Sequence, residues 1–191
     1  MSEIDGIIGK EGKRRKLENP ARVAELDPGA TLARIGFKEG MTLCDIGAGS
    51  GIFSLAAASL SSGDIWAVDT DGEILAELEQ RAKIAGMDNI HAISADGCDY
   101  NVRTGSADVV LLVTVLHEVD DKKALLREMR RIMKNEGRSC IIEFVKDDTK
   151  MGPPKKHRIS AAETEALFRG EGFKKKDEFL LGANFYCQTY K

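Results

Sequence analysis

The chain of 191 residues and 20.9 kDa carries 42% hydrophobic and 31% charged side chains, which suits one ordinary domain with its own apolar core. Lys+Arg 28 against Asp+Glu 31 gives a net charge of -3 and a pI near 5.7, which argues against a general nucleic-acid binder but leaves room for a local basic patch. The longest apolar run, residues 109–116, is interrupted by Thr114 and is too short to span a bilayer. The first sixteen residues have no signal-peptide core. Cys44, Cys98, Cys140 and Cys187 stand far apart without a C-x-x-C, and His91, His117 and His157 lack ligand spacing. The expectation is a cytoplasmic protein with reduced thiols and no metal site.

Residues 10–16 hold five basic side chains in seven positions. Pro20 and Pro28 then each open a short predicted helix, 20–26 and 28–35, since proline suits a helix's first turn. Gly36 and Gly40 close this region, so residues 1–40 read as a helical extension, a candidate lid, on a core of 41–191. From Met41 strands and helices alternate: strand 41–46, a glycine loop, helix 52–60, strand 64–68. Helix 73–85 places Ile74, Leu75, Leu78, Ala82 and Ala85 on one face, and Thr70-Asp71-Gly72-Glu73 before it reads as a capping box. Strand 90–94 follows, then strand 108–113, apolar on both faces and therefore a central parallel strand. Asp120 or Asp121 caps the next helix, whose face is Leu125, Leu126, Met129, Ile132 and Met133. Strand 138–145 is fifth. Ser160-Ala161-Ala162-Glu163 is a second capping box, opening a helix that ends near Gly170. Runs 173–179 and 185–190 have no helix between them and must pair antiparallel. The predicted fold is α/β: a doubly wound, mostly parallel seven-stranded sheet with an antiparallel C-terminal strand.

The stretch Leu43-Cys44-Asp45-Ile46-Gly47-Ala48-Gly49-Ser50-Gly51 runs a strand through three alternating glycines into a helix. Glycine allows sharp turns and close ligand approach, and the helix N-terminus offers unpaired N–H groups. It follows the first strand of the alternating pattern, where such sheets bind ligands. Asp69 ends the second strand, where a carboxylate accepts from a ribose diol or simply faces water; Asp71 and Thr70 read more naturally as helix caps. Asp96, in Ala95-Asp96-Gly97 after the third strand, is either a turn residue or an acceptor for an exocyclic amine such as adenine's. Taken together, the loop, Asp69 and Asp96 point to a nucleoside site. The dinucleotide pattern G-x-G-x-x-G is not met, because the sixth position is Ile52, and no phosphate-binding Gly-Lys-Ser/Thr follows.

Asp45-Ile46-Gly47-Ala48-Gly49-Ser50-Gly51 resembles the first motif of class I S-adenosylmethionine-dependent methyltransferases. Ala67-Val68-Asp69, Ala95-Asp96-Gly97 and Ala107-Asp108-Val109-Val110 resemble their next three. Leu116-His117-Glu118 and Glu136-Gly137-Arg138 are similar to the branch that contains ubiquinone/menaquinone biosynthesis and arsenite methyltransferases. The resemblance covers about residue 28 to the end. It implies a Rossmann-like methyltransferase fold with S-adenosylmethionine as cofactor and S-adenosylhomocysteine as product. Gly47, Ala48, Gly49 and Gly51 would lie along the methionine part and Asp45 would orient it. Asp69, with Thr70 beside it, would hold the ribose. Asp96 would take the adenine amine with Gly97 and Cys98 beside the ring, and Thr114 would sit near the sulfonium.

His117, at the carboxyl side of the fourth strand, is the candidate general base; packing or capping locally at a helix start is the competing reading. Glu143, near the end of the fifth strand, faces either the pocket or solvent. His157 and Arg158 lie on the following connection, which either borders the substrate mouth or is a plain surface loop. The expected partner is a small-molecule acceptor, with no membrane and with nucleic acid disfavoured. Competing readings are a noncatalytic S-adenosylmethionine-binding module, an RNA-directed methyltransferase using the basic N-terminal run, and an NAD-dependent oxidoreductase. Residues 10–16 and 155–158 would favour an anionic substrate if both fold over one mouth.

Overall fold

The computed structural model describes residues 12, 14–95, 97–149 and 151–191; the predicted adenine ligand Asp96, together with Lys10 and Lys13 of the basic run, lies outside them.

Asn19 opens the first helix, α1 (Pro20–Leu26), its Oδ1 accepting from the backbone of Ala21 and Arg22. Asp27, at φ +34, ends α1 and begins α2 (Pro28–Arg34), its carboxylate accepting from Ala30 N. Leu26, Leu32, Ile35 and Phe37 are buried against Phe53 of α3 (Ile52–Leu60), so this extension completes one face of the core.

The strands are β1 (Leu43–Ile46), β2 (Ile65–Asp69), β3 (Ile90–Ser94), β4 (Ala107–Val113), β5 (Met133–Phe144), β6 (Lys175–Leu181) and β7 (Phe185–Tyr190). They form a seven-stranded sheet in the order β3-β2-β1-β4-β5-β7-β6. β1 to β5 pair parallel, and β7 lies antiparallel to both β5 and β6, which is the predicted doubly wound fold with a reversed end. Alternation along β4 shows both faces covered. Val109 and Leu111 join the cluster of α1, α2 and α3, whereas Val110 and Leu112 join that of α5 (Lys122–Ile132) and α6 (Ala161–Gly170). α4 (Gly72–Ile84) buries Leu75 and Leu78 beside Ala67 of β2.

Three local expectations are corrected. The start of α4 is capped by Asp71 rather than by a box from Thr70: Asp71 Oδ1 accepts from the backbone N–H of Glu73 and Ile74 at 3.2 and 3.3 Å, and Thr70 is exposed. Ala85, expected on the buried face, is exposed as the C-cap of α4. β5 begins at Met133, because α5 passes directly into extended chain and Met133 pairs with Ala107 ahead of a register shift. The box at Ser160 is present in full, and Asp121 caps α5. Cys44, Cys140 and Cys187 lie in buried strands, and all four cysteines are free. Among the described residues no helix is long and apolar enough to cross a membrane, and no cluster suits a metal ion.

Candidate active site

The strand order turns back between β1 and β4, so their carboxyl ends open a crevice where the outgoing loops diverge. The glycine loop leaves β1 there. Gly47, Gly49 and Gly51 all have positive φ (72, 54 and 77°), a region that disfavours side-chain-bearing residues. The loop is tied to the end of β2: Gly47 N and Ala48 N donate to Val68 O at 2.8 and 2.9 Å, and Gly49 N donates to Asp69 Oδ2 at 2.8 Å. A Cβ on Gly47 would stand 2.3 Å from Val115, and one on Gly51 2.3 Å from Leu78. Among the described residues no side chain caps α3, which leaves its N–H groups to the crevice.

Asp45 is buried beneath this loop and accepts from Ser54 Oγ at 2.7 Å. Burial pushes its carboxyl up to about 6, against the hydrogen bond from Ser54, with the negative charge of Asp69 adding to the rise. Asp69, at the tip of β2, also accepts from Asp71 N at 3.0 Å. Ala95 N donates to Asp69 O at 3.1 Å, which brings the end of β3 beside that tip. Gly97 there is exposed with φ +82, and Cys98 is half-buried.

Across the crevice Thr114 follows β4 with φ +57, an outlier for a β-branched residue and so a strained backbone position. Its N–H donates to Ile142 O at 2.7 Å, and its Oγ1 accepts from Arg22 Nη2 at 3.0 Å. Arg22 is 6% exposed, donates from Nη1 to Leu17 O, and lines the crevice with Asp45 and Gly47. Burial lowers its pKa to about 10, opposed by the charge of Glu143. Leu17 lies over Gly49, 2.9 Å from where a Cβ would stand. Arg81 fastens this segment by donating to Glu18 Oε1 at 2.6 Å and to Ser50 O at 2.9 Å. Arg14 pairs with Glu18 and Glu77. Arg14 of the basic run therefore reaches α4 through Glu77.

Glu143, fully buried in β5, turns inward. Its Oε2 accepts from His117 Nδ1 at 2.8 Å, and its Oε1 accepts from His117 N at 3.2 Å. His117 Nε2 lies 3.6 Å from exposed Glu118. Burial is the largest single influence on His117 and pulls its pKa down, but the hydrogen bond and charge of Glu143, with Glu118, together hold it above the ordinary value. His157 is exposed. Arg158 is buried in its own loop, bonded to four carbonyls and Thr149.

Sequence reasoning missed Leu17, Ser54 and Arg22. Arg22 left a trace, since it shares a helix face with buried Leu26 four residues on.

These residues suit an adenosyl sulfonium compound. The three glycines let the loop turn at positive φ and pack against Val115, Leu17 and Leu78. Asp45 lines the crevice and Asp69 ends β2, so their carboxylates suit a cationic amino-acid portion and a diol, and the start of α3 has no side-chain cap among the described residues.

Residues 44–141 match the methyltransferase-domain family. Ribosomal protein L11 methyltransferase of Streptococcus pneumoniae is 28% identical over 116 residues, 59% of this chain and 34% of that protein. Demethylmenaquinone methyltransferase of Bacillus subtilis is 27% identical over 115 residues, 59% of this chain and 49% of that protein. The chain thus spans about a third to a half of the length of these relatives. A crystal structure of an S-adenosylmethionine-dependent methyltransferase from Aquifex aeolicus superposes with a TM-score of 0.89 at 23% identity, covering 94% of this chain and 96% of that one. A match across half of the chain, over the strands and loops that build the crevice, makes this chain a member of the methyltransferase-domain family.

Proposed function

We propose that the chain methylates a small-molecule acceptor and that His117, set by Glu143, takes the proton the acceptor gives up. The His117–Glu143 pair, formed just past the carboxyl end of β4 and within β5, carries this reading. S-adenosylmethionine, when bound, supplies a methyl group already activated on a sulfonium. The chain's own tasks are to bind, orient and exclude water, and orientation alone is worth roughly 7–11 kcal/mol of barrier in favourable cases. Asp45 and the glycine loop would hold the methionine portion, and Asp69 the ribose hydroxyls. Asp96, Gly97 and Cys98 would border the adenine. Residues 14–22 act as a cover, with Leu17 over the loop and Arg22 joined to Thr114.

A carboxylate accepts, so His117 Nδ1 donates to Glu143 and Nε2 carries the lone pair. His117 Nε2 would take the proton that the acceptor gives up on methylation. Glu143 then stabilises the imidazolium, as an orienting carboxylate does in other acid–base pairs.

A protein acceptor is the second reading, favoured by the likeness to the L11 methyltransferase. Calorimetry with S-adenosylhomocysteine and NAD, followed by labelled methyl transfer to a metabolite extract, to RNA and to ribosomal protein, separates these readings. Label in the low-mass fraction is expected; label confined to protein or RNA refutes the small-molecule reading. Binding without transfer to any of these refutes catalysis. Asp69→Ala should weaken S-adenosylhomocysteine at least about tenfold, since each charged hydrogen bond is worth roughly 1.5–3 kcal/mol; unchanged affinity contradicts the ribose assignment.

A further inference from the structure

After β5 the chain makes an excursion, residues 145–160, before α6 begins. Arg158 is its internal scaffold. The guanidinium donates to the carbonyls of Pro153 (2.7 Å), Val145 (2.9 Å), Asp147 (3.0 Å) and Met151 (2.7 Å), and to Thr149 Oγ1 (2.7 Å). These acceptors engage all three guanidinium nitrogens and leave Arg158 little for a ligand. Gly152, at φ +89, lies against the Phe144 ring, where a Cβ would come within 2.6 Å. Phe144 in turn meets His117 edge-on, with ring centroids 6.1 Å apart. The excursion is therefore fastened to the strand end that carries Glu143 and His117.

Next to Arg158 lies a short turn, Lys155–His157. Lys155 is taken by Asp147 and Asp148. The side chains of Lys156 and His157 are exposed and have no partner among the described residues. Both border an open depression of about 310 Å³ whose lining also includes His117 and Lys122, a volume at the lower end of small-molecule sites. Lys122 Nζ donates to Val119 O at 2.5 Å and keeps two further N–H groups. The acid in this lining, Glu163, is matched by Lys146 at 2.9 Å and by Ser160, and these bonds hold its carboxyl down at about 2. Glu118 lies outside this lining, largely exposed, with its carboxylate 3.6 Å from His117 Nε2. The lining thus keeps an excess of positive charge beside the proposed base.

We propose that this depression is the acceptor subsite for an anionic oxygen group, a carboxylate or a phosphate, held by Lys122, Lys156 and His157 while His117 faces the atom to be methylated. This rests on the methyl-transfer reading above. The ¹⁵N-labelled full chain, saturated with S-adenosylhomocysteine, is titrated with benzoate, with inorganic phosphate and with neutral benzamide. One or both anions, and not benzamide, should shift the amides of His117, Lys122, Lys156 and His157 along a saturable curve. Response to benzoate alone identifies a carboxylate; response to phosphate alone identifies a phosphoryl group. The double variant K156E/H157E should weaken that anion by about tenfold or more while S-adenosylhomocysteine affinity stays within about twofold. Benzamide acting like benzoate, shifts scattered over surface lysines, or an unchanged double variant overturns the proposal. Failure of the wild-type chain to bind S-adenosylhomocysteine overturns the methyl-transfer reading with it, whereas cofactor binding without an anion response overturns the subsite alone.

Discussion

Replacing Asp45 by asparagine separates what the fold prefers from what the site requires. The carboxyl group is 2% exposed, with Ser54 Oγ as its side-chain donor. Its pKa rises from 3.8 to about 6, burial being the main cause. Between those values the folded chain keeps a proton that the unfolded chain has lost, so stability falls as pH rises through that window. The shift of about 2 units corresponds to about 3 kcal/mol lost between about pH 4 and pH 7. Asp45→Asn removes the titration and leaves an oxygen for Ser54. Any fixed cost of the amide is independent of pH, so only the slope matters. Urea unfolding followed by circular dichroism at about pH 4, 5, 6 and 7 should show the variant gaining about 3 kcal/mol on the wild type across the range. S-adenosylhomocysteine affinity should fall in the same protein. Parallel stability curves would refute the argument, because they would mean that the carboxylate is not strained by burial.

Other outcomes follow from the geometry. In Glu143→Gln the carboxylate no longer opposes burial at His117, so the His117 pKa, followed by proton NMR, should drop. In the wild type the pair's contribution to stability is full below the ordinary histidine pKa and fades as pH rises through the raised value; that fade should vanish in the variant. Methyl transfer to an acceptor that must lose a proton should slow by roughly 10²–10⁴-fold, and an unchanged His117 titration would refute the pairing. Gly47→Ala meets both a φ of +72° and a 2.3 Å approach to Val115. It should destabilise by about 2–4 kcal/mol in urea unfolding, with part recovered when Val115→Ala is added.

Much of the fold is legible because periodicity and punctuation agree. Helix Ile52–Leu60 and strand Ile90–Ser94 have the bounds that pattern alone predicts. Val109 to Leu112, apolar without alternation, lies between two covered faces. The failures are local competitions. Thr70 and Asp71 both read as caps for α4, and Asp71 takes the place without a box from Thr70, since only backbone geometry chooses between two residues that are chemically able to cap. β5 starts early because Met133 finds Ala107, a pairing no window of sequence reveals. The glycine loop announces its own turn, but Glu143 and His117 meet across 26 positions, and Arg22 reaches Thr114 across 92. Arg158 shows the converse: a basic residue in a basic run, whose charge the loop's own carbonyls absorb.

The placement of β7 between β5 and β6 has a consequence for synthesis. On the ribosome the outer edge of β5 must wait, unpaired, until β7 emerges roughly forty residues later. Tyr186 pairs with Glu143 in that ladder, and Tyr190 stacks on Phe168 with ring centroids 4.3 Å apart. A nascent chain stalled before residue 185 would expose a sticky ladder edge to chaperones and leave Glu143 without its ladder partner Tyr186, so this end of the sheet should form only once β7 has emerged.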